Sequence, residues 1–272
     1  MIVVTGATGS IGRALVERLR GHDVLAVVRR PADDLGCDYA LADFDEPETI
    51  GRLLSPGDRL FLNSSLWPGF VAAHRAVIDL AAQAGVAQVV TVSVRGAKPG
   101  QKLGGGMHGE VDAHLRRSGV PWSILQPTGF MQNLPRDVQD GRLFGSYGPK
   151  QVNYIDARDI AEVAATLLTQ PVGPDSDYVL TGPESLSHDQ IAQEISAALG
   201  RPVRYVDLPV PEMAAHLERK GFPQPYATDL ATLMAETGDG RWSSTTTTVE
   251  DLTGRPPHPL SVFLADHRDA FS

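Results

Sequence analysis

Apolar positions in the first half of the chain alternate between short continuous runs and stretches spaced three and four residues apart. Ile2-Val3-Val4, Val24 to Val28, Tyr39 to Ala42, Arg59 to Leu62, Gln88 to Val94 and Trp122 to Pro127 predict strands. Such runs, unbroken by polar residues, suit strands buried on both faces of a parallel sheet. Between them lie helical patterns. Ile11, Ala14, Leu15 and Leu19 form one face, Ile50, Leu53 and Leu54 a second, and Val71, His74, Val77, Ile78 and Ala81 a third. His74 on that apolar face reads as a packing residue. A fourth helix is expected from about Met107 to Ser118, and Gly85 and Gly119 stand where helices stop.

The second half is less regular. Asp156 to Asp159 opens a helix with Ile160, Val163, Ala164, Leu167 and Leu168 inward. Tyr178 to Thr181 and Val203 to Leu208 are strand-like. Ser187-His188-Asp189-Gln190 has the form of a capping box ahead of Ile191, Ile195, Ala198 and Leu199. Short helices are expected over 211–220, 226–237 and 249–254, a polar loop over 243–248, and a last helix from Ser261. Strands alternating with helices predict an α/β fold: a Rossmann-type doubly wound parallel sheet, order 3-2-1-4-5-6, with a smaller C-terminal α/β substrate region. The expected division is 1–135 for nucleotide binding and 136–272 mainly for substrate, with the 156–170 helix and its neighbouring strand returning to the main sheet.

The chemistry begins at Thr5-Gly6-Ala7-Thr8-Gly9-Ser10-Ile11-Gly12, between the first strand and first helix. Glycines here permit a tight turn and close approach of a pyrophosphate to backbone N–H groups at a helix N-terminus. The order strand, glycine turn, helix makes this a dinucleotide site. Gly6, Gly9 and Gly12 shape it; Thr8, Ser10 and Ile11 add contacts. An NAD site places an acid after the second strand to take the ribose hydroxyls. This chain has Arg29 and Arg30 instead, whose guanidinium forks match a 2′-phosphate, so the expected cofactor is NADPH. Asp43 and Phe44, after the third strand, are candidates for the adenine, with a helix-capping role for Asp43 equally open. Asn63, Ser64 and Ser65, after the fourth, are candidates for the ribose.

With 272 residues, 42% of them hydrophobic, the chain is large enough for a substantial core. A net charge of −9 argues against a grip on nucleic acid. One cysteine, Cys37, excludes an internal disulfide and fits a reducing compartment. No apolar stretch reaches membrane-spanning length, and the N-terminus lacks the pattern of a signal peptide. A cytoplasmic protein with a small-molecule substrate and no membrane partner is expected; a homodimer stays open. No metal-ligand spacing occurs among the eight histidines.

Several motifs carry a family resemblance. Val4 to Gly12 resembles the opening of atypical short-chain dehydrogenases/reductases. Ser118-Gly119-Val120-Pro121-Trp122 through Asn133, Ile155 to Ala161, and Thr253-Gly254-Arg255-Pro256-Pro257 resemble the NmrA-like branch, which includes NAD(P)H quinone oxidoreductases. The resemblance implies a Rossmann domain and NADPH-dependent reduction of quinones, carbonyls or conjugated double bonds. It also admits non-catalytic NADP(H) sensors that act through a protein partner.

Short-chain dehydrogenases of the typical kind use Tyr-x-x-x-Lys. Four residues after the six tyrosines stand Asp43, Gln151, Arg158, Gly182, Pro209 and Leu230, so that pair is absent. Ser93, closing the fifth strand, and His108, early in the next helix, are the candidate catalytic residues. Asp112, one turn on, is placed to orient His108. Without a strong acid, hydride delivery suits an acceptor that yields a stabilised anion, such as a quinone. Gly104-Gly105-Gly106 is expected to form a flexible loop over the site, with Phe130, Met131, Trp67 and Phe70 as candidates for an apolar pocket.

Overall fold

The computed structural model describes residues 1–237 and 242–271. The chain runs β1 (Ile2–Val4), α1 (Ser10–Arg18), β2 (Val24–Val28), β3 (Asp38–Leu41), α2 (Pro47–Gly51), β4 (Arg59–Leu62), α3 (Phe70–Ala84) and β5 (Gln88–Val92). It continues through α4 (Leu103–Leu115), β6 (Trp122–Pro127), β7 (Gly129–Phe130), α5 (Leu134–Asp137), β8 (Val138–Gln139), β9 (Arg142–Gly145) and β10 (Gln151–Ile155). Then follow α6 (Ala157–Thr169), β11 (Ser176–Leu180), β12 (Ser185–Ser187), α7 (His188–Leu199), β13 (Arg204–Asp207), α8 (Val210–Arg219), α9 (Tyr226–Glu236), α10 (Thr248–Thr253) and α11 (Leu260–Asp266).

Two compact units are formed. The first comprises Met1–Pro127, Ala157–Leu180 and Thr248–Arg255. Its seven-stranded sheet has the order β11-β6-β5-β4-β1-β2-β3, and all of its neighbouring strands are parallel. Helices on both faces explain why β1 and β5 are buried along their whole length. Val3, Leu60, Leu62, Val77, Ile78, Val89, Leu115 and Ile124 belong to one buried cluster on this sheet. After β1 the chain crosses to β2 on one side, and β4 lies on the other. That reversal opens a crevice at the carboxyl ends of β1 and β4. The sequence reading divided the chain after 135; the compact units part at Pro127, and α6 and β11 lie in the first.

The glycine-rich segment before Met107 is not a loop. Gly104, Gly105 and Gly106 lie in α4, which starts at Leu103. The reason is close packing. A Cβ on Gly106 would stand 2.9 Å from the Gln101 carbonyl carbon, and one on Gly109 would stand 2.6 Å from the Lys98 Cα. These glycines let the helix lie directly on the 98–101 backbone, and tertiary contact outweighs their poor helix propensity.

The second unit comprises Thr128–Asp156, Thr181–Thr247 and Pro256–Ser272. It contains two three-stranded sheets, β12-β10-β7 and β13-β9-β8. Ser187 caps α7 as the sequence predicts: its hydroxyl accepts from the Gln190 N–H and the Gln190 side chain accepts from the Ser187 N–H. Met131, Leu143, Val152, Ile191, Ile195 and Phe263 share one core; Met213, Leu217, Ala227 and Ala231 share another, on α8 and α9. Among the described residues, no helix is long and apolar enough to cross a membrane.

Candidate active site

The turn after β1 is built by contacts that leave no room for side chains. Gly6 has φ +64°, and a Cβ there would stand 2.6 Å from the Asn63 carbonyl oxygen. A Cβ on Gly12 would stand 2.7 Å from the Ala7 Cα and closer still to the Gly6 carbonyl oxygen. Gly9 begins α1 without a side-chain cap, so the first-turn N–H groups have no partner from a capping side chain. Thr8, Gly9 and Ser10 are exposed above that helix end, whereas the Ile11 side chain is buried beneath it. Ile11 therefore offers only its backbone to a ligand.

Two residues that sequence reasoning missed hold this turn. Thr5, fully buried, accepts a hydrogen bond from the Asn63 N–H at 2.8 Å, and its hydroxyl lies within donating distance of the Phe61 and Asn63 carbonyls. It ties the ends of β1 and β4 together at the crevice. Arg13 donates from Nε to the Thr8 carbonyl at 3.2 Å and pairs with Asp34 at 2.7 Å. That hydrogen bond holds the exposed Asp34 carboxyl below its usual range.

Arg29 and Arg30, at the mouth of β2, are both exposed, and neither forms an ion pair among the described residues. Asp43 sits in the turn after β3, where its carboxylate accepts the Asp45 N–H at 3.1 Å. The Phe44 ring is stacked on His74, with centroids 4.7 Å apart and planes 7° from parallel. His74 is buried; its Nδ1 donates to the Phe70 carbonyl at 2.9 Å, and the Ser64 hydroxyl lies 3.3 Å from its Nε2. Burial drives its pKa down to about 3, so it is a neutral packing residue. Asn63, Ser64 and Ser65 follow β4, with Asn63 and Ser64 half-buried and Ser65 exposed.

At the end of β5, Ser93 is 1% exposed and donates to Asp112 Oδ2 at 2.6 Å. This overturns the expected Asp112–His108 pair. The two residues share a side of α4, but the carboxyl turns to Ser93, while the half-buried imidazole lies edge-on to Phe70, centroids 5.0 Å apart. Burial pushes the Asp112 carboxyl up to about 6, against the lowering effect of the Ser93 hydrogen bond, and its Oδ1 has no partner among the described residues. Burial also lowers His108 to about 4, so it is neutral near pH 7.

The second unit contains a cavity of about 480 Å³. Tyr147, Tyr154, Phe222, Leu230, Met234 and Trp242 supply its apolar and aromatic wall, and Arg136, Asp137 and Lys220 its charges. None of the four expected pocket residues lines it. Phe70 and Met131 are 1% exposed and belong to cores, and Trp67 packs edge-on against Phe70 with centroids 5.7 Å apart. Phe130 forms β7 with Gly129, and only Gly129 reaches the cavity. Among the described residues no group of three His, Cys, Asp or Glu side chains is placed to hold a metal ion.

The chain is 34% identical to the NAD(P)H azoreductase of Xenophilus azovorans over 283 residues, which span 100% of this chain and 99% of that protein. It is 30% identical to the (4-alkanoyl-5-oxo-2,5-dihydrofuran-3-yl)methyl phosphate reductase of Streptomyces griseus, again over 100% and 99% of the two chains. The NADPH-dependent quinone oxidoreductase of Escherichia coli, solved with NADPH, has the same fold with TM-score 0.86 and 26% identity, covering 98% of this chain and 99% of that one. The model of the NmrA-like family matches residues 1–251. With full-length relatives and that match, the chain belongs to the NmrA-like family.

Proposed function

We propose that the protein is an NADPH-dependent reductase of the atypical short-chain type, acting on a small conjugated acceptor such as a quinone, an enone or an aromatic carbonyl. The observation that carries this is the cradle at the carboxyl ends of β1 and β4. There, Gly6 and Gly12 sit where a Cβ would strike backbone, beneath an uncapped helix end. Relatives named as NAD(P)H azoreductase, (4-alkanoyl-5-oxo-2,5-dihydrofuran-3-yl)methyl phosphate reductase and quinone oxidoreductase 2 support the reaction class.

The residues present fit the cofactor. Gly6, Thr8, Gly9, Ser10, Ile11 and Gly12 would hold the pyrophosphate through backbone N–H groups and short side chains. Arg29 and Arg30, exposed and without an ion pair among the described residues, would take the 2′-phosphate; Asp43 and Phe44 would border the adenine, and Asn63, Ser64 and Ser65 the ribose. When bound, NADPH supplies the hydride. Ser93 and His108 are the polar groups of the β5–α4 side. Ser93 is held in place by its hydrogen bond to Asp112, and His108 would serve as a neutral hydrogen-bonding group. The aromatic cavity of the second unit, about 480 Å³, is large enough for a small aromatic ligand.

Following NADPH oxidation at 340 nm with menadione and benzylideneacetone, beside calorimetric titration with NADPH and NADH, tests the proposal. Acceptor-dependent oxidation with NADPH preferred is the expected result. Tight NADPH binding without turnover would favour a sensor acting through a protein partner. Failure to bind either nucleotide would refute the cofactor assignment.

A further inference from the structure

The charges of the second unit's cavity are unevenly matched. Arg136 and Lys220 bring two positive charges to its lining, and Asp137 one negative. The three are gathered where α8 meets α5: Lys220, which closes α8, donates to the Arg136 carbonyl at 2.6 Å, and Asp137 is the next residue. Neither cation forms an ion pair among the described residues.

Most other polar groups of the lining are already committed. The Asn153 amide donates to the Gly182 and Glu184 carbonyls at 3.1 and 2.6 Å and accepts from the Thr128 hydroxyl and the Gly182 N–H at 2.9 and 2.8 Å. Thr237 donates to the Leu233 carbonyl at 2.5 Å. The Tyr154 hydroxyl is hydrogen-bonded to that of Tyr147 and lies 3.2 Å from His188 Nε2. Among the described residues, what remains for a ligand is the Arg136 guanidinium, the unused N–H donors of Lys220, the Asn133 amide, the Trp242 indole N–H and the Asp137 carboxyl. Donors and positive charge predominate.

We propose that this cavity binds a small aromatic carboxylate, its ring against Tyr147, Phe222 and Trp242 and its anionic group on Lys220 and Arg136. The inference goes beyond the reductase reading and does not rest on it, because the site lies within the second unit and binding needs no cofactor. The volume of about 480 Å³ is that of a site for a ligand of one or two rings. A carboxylate entering it meets a net positive charge beside an apolar wall, where attraction is screened less than in water. The guanidinium fork matches its two oxygens. A neutral arene would gain the same wall but leave both cations without a partner, and an organic cation would meet two like charges against one acid. Burial raises the Asp137 carboxyl to about 6 even though Arg136 and Lys220 pull it down. It is therefore ionised above neutral pH, and it tempers the positive charge without cancelling it.

Calorimetric titration of the cofactor-free protein near pH 7.5 with 2-naphthoate, 2-naphthamide and 2-naphthylmethylammonium compares one shape at three charges. The naphthoate should bind at least about tenfold more tightly than the amide, and the ammonium more weakly than either. Lys220→Gln should remove most of the preference for acid over amide, and Lys220→Arg should keep it. Asp137→Asn, which takes away the opposing charge, should tighten naphthoate and leave naphthamide nearly as it was. Replacing Arg29 and Arg30 by alanine should leave the naphthoate Kd unchanged, since those cations belong to the first unit. Absence of naphthoate binding overturns the proposal, as does equal binding of acid and amide, tighter binding of the ammonium, or a preference that Lys220→Gln leaves intact. Weaker naphthoate binding in Asp137→Asn also overturns it. Loss of binding with Arg29 and Arg30 would put the anion in the cofactor crevice and overturn it likewise. Every readout is a binding constant, so failure of NADPH oxidation strikes the reductase reading and leaves this assignment standing.

Discussion

Gly12→Ala probes the cofactor cradle directly. The added Cβ would stand 2.7 Å from the Ala7 Cα, below the 3.0 Å that real Cβ contacts respect, and nearer still to the Gly6 carbonyl oxygen. Both obstacles are backbone, so no rotamer change relieves them. Overpacking of this kind costs about 1–3 kcal/mol, and a backbone clash belongs at the upper end. Alanine regains about 1 kcal/mol of helix propensity over glycine. The net loss is about 2 kcal/mol, which for a protein of this size lowers Tm by roughly 4–8 °C. The clash is relieved only by moving the 6–7 backbone away from α1, which deforms the pyrophosphate cradle. NADPH affinity should therefore fall more than about tenfold, equivalent to about 1.4 kcal/mol. Gly9→Ala is the control. Gly9 has φ −81°, and its Cβ would meet the Gly6 carbonyl oxygen at 3.4 Å, an ordinary contact, so its Tm should stay within about 1 °C of wild type. Scanning fluorimetry and calorimetric titration read both quantities. A Gly12→Ala protein with wild-type Tm and NADPH affinity within twofold would refute the cradle as described.

Three further outcomes are expected. Replacing Arg29 and Arg30 together by alanine should weaken NADPH by roughly 10- to 100-fold, from the loss of charge-assisted hydrogen bonds worth about 1.5–3 kcal/mol, while leaving NADH affinity nearly as it was. Paired titrations with the two nucleotides decide it, and parallel losses would count against the 2′-phosphate assignment. Thr5→Val leaves the Asn63 N–H without its acceptor inside the protein, at a cost of about 1–3 kcal/mol readable by urea unfolding. Asp112 carries a pH signature. Its folded carboxyl is raised from 3.8 to about 6, so between those values the folded state holds the proton more tightly than the unfolded chain. Stability therefore falls as pH rises from about 4 to about 6 and stays lower above, by an amount on the order of 3 kcal/mol. Asp112→Asn still accepts from Ser93 and carries no charge. It should be more stable than wild type at pH 8, with the gap closing near pH 4; equal stability at both pH values would refute this.

The first unit was legible because its determinants are local. Each strand is one apolar run ended by small or polar residues, and Gly6 and Gly12 are needed within a single turn. What lay outside the reach of spacing was set by neighbours distant in the chain. The glycines of α4 look like a flexible loop until the Lys98–Gln101 backbone is seen lying against them. The two-residue strands β7 and β8 are too short for any alternation to show. Helical spacing put His108 and Asp112 on one side of α4, but the choice of partner was made by Ser93 on β5 and Phe70 on α3.

The cavity is the extreme case, since its wall draws on residues from Gly129 to Trp242 across several short elements with no motif among them. Its charged groups were no more legible, because desolvation of a carboxyl depends on what packs around it. Two carboxyls here, Asp112 and Asp137, are desolvated to about 6. They differ in access. Asp112 is 1% exposed and bound to Ser93, so its shifted proton bears on stability; Asp137 borders the cavity and has no hydrogen-bond partner among the described residues, so its carboxyl is open to a ligand there. A perturbed carboxyl bears on binding only where a ligand can reach it, and that distinction belongs to packing rather than to sequence.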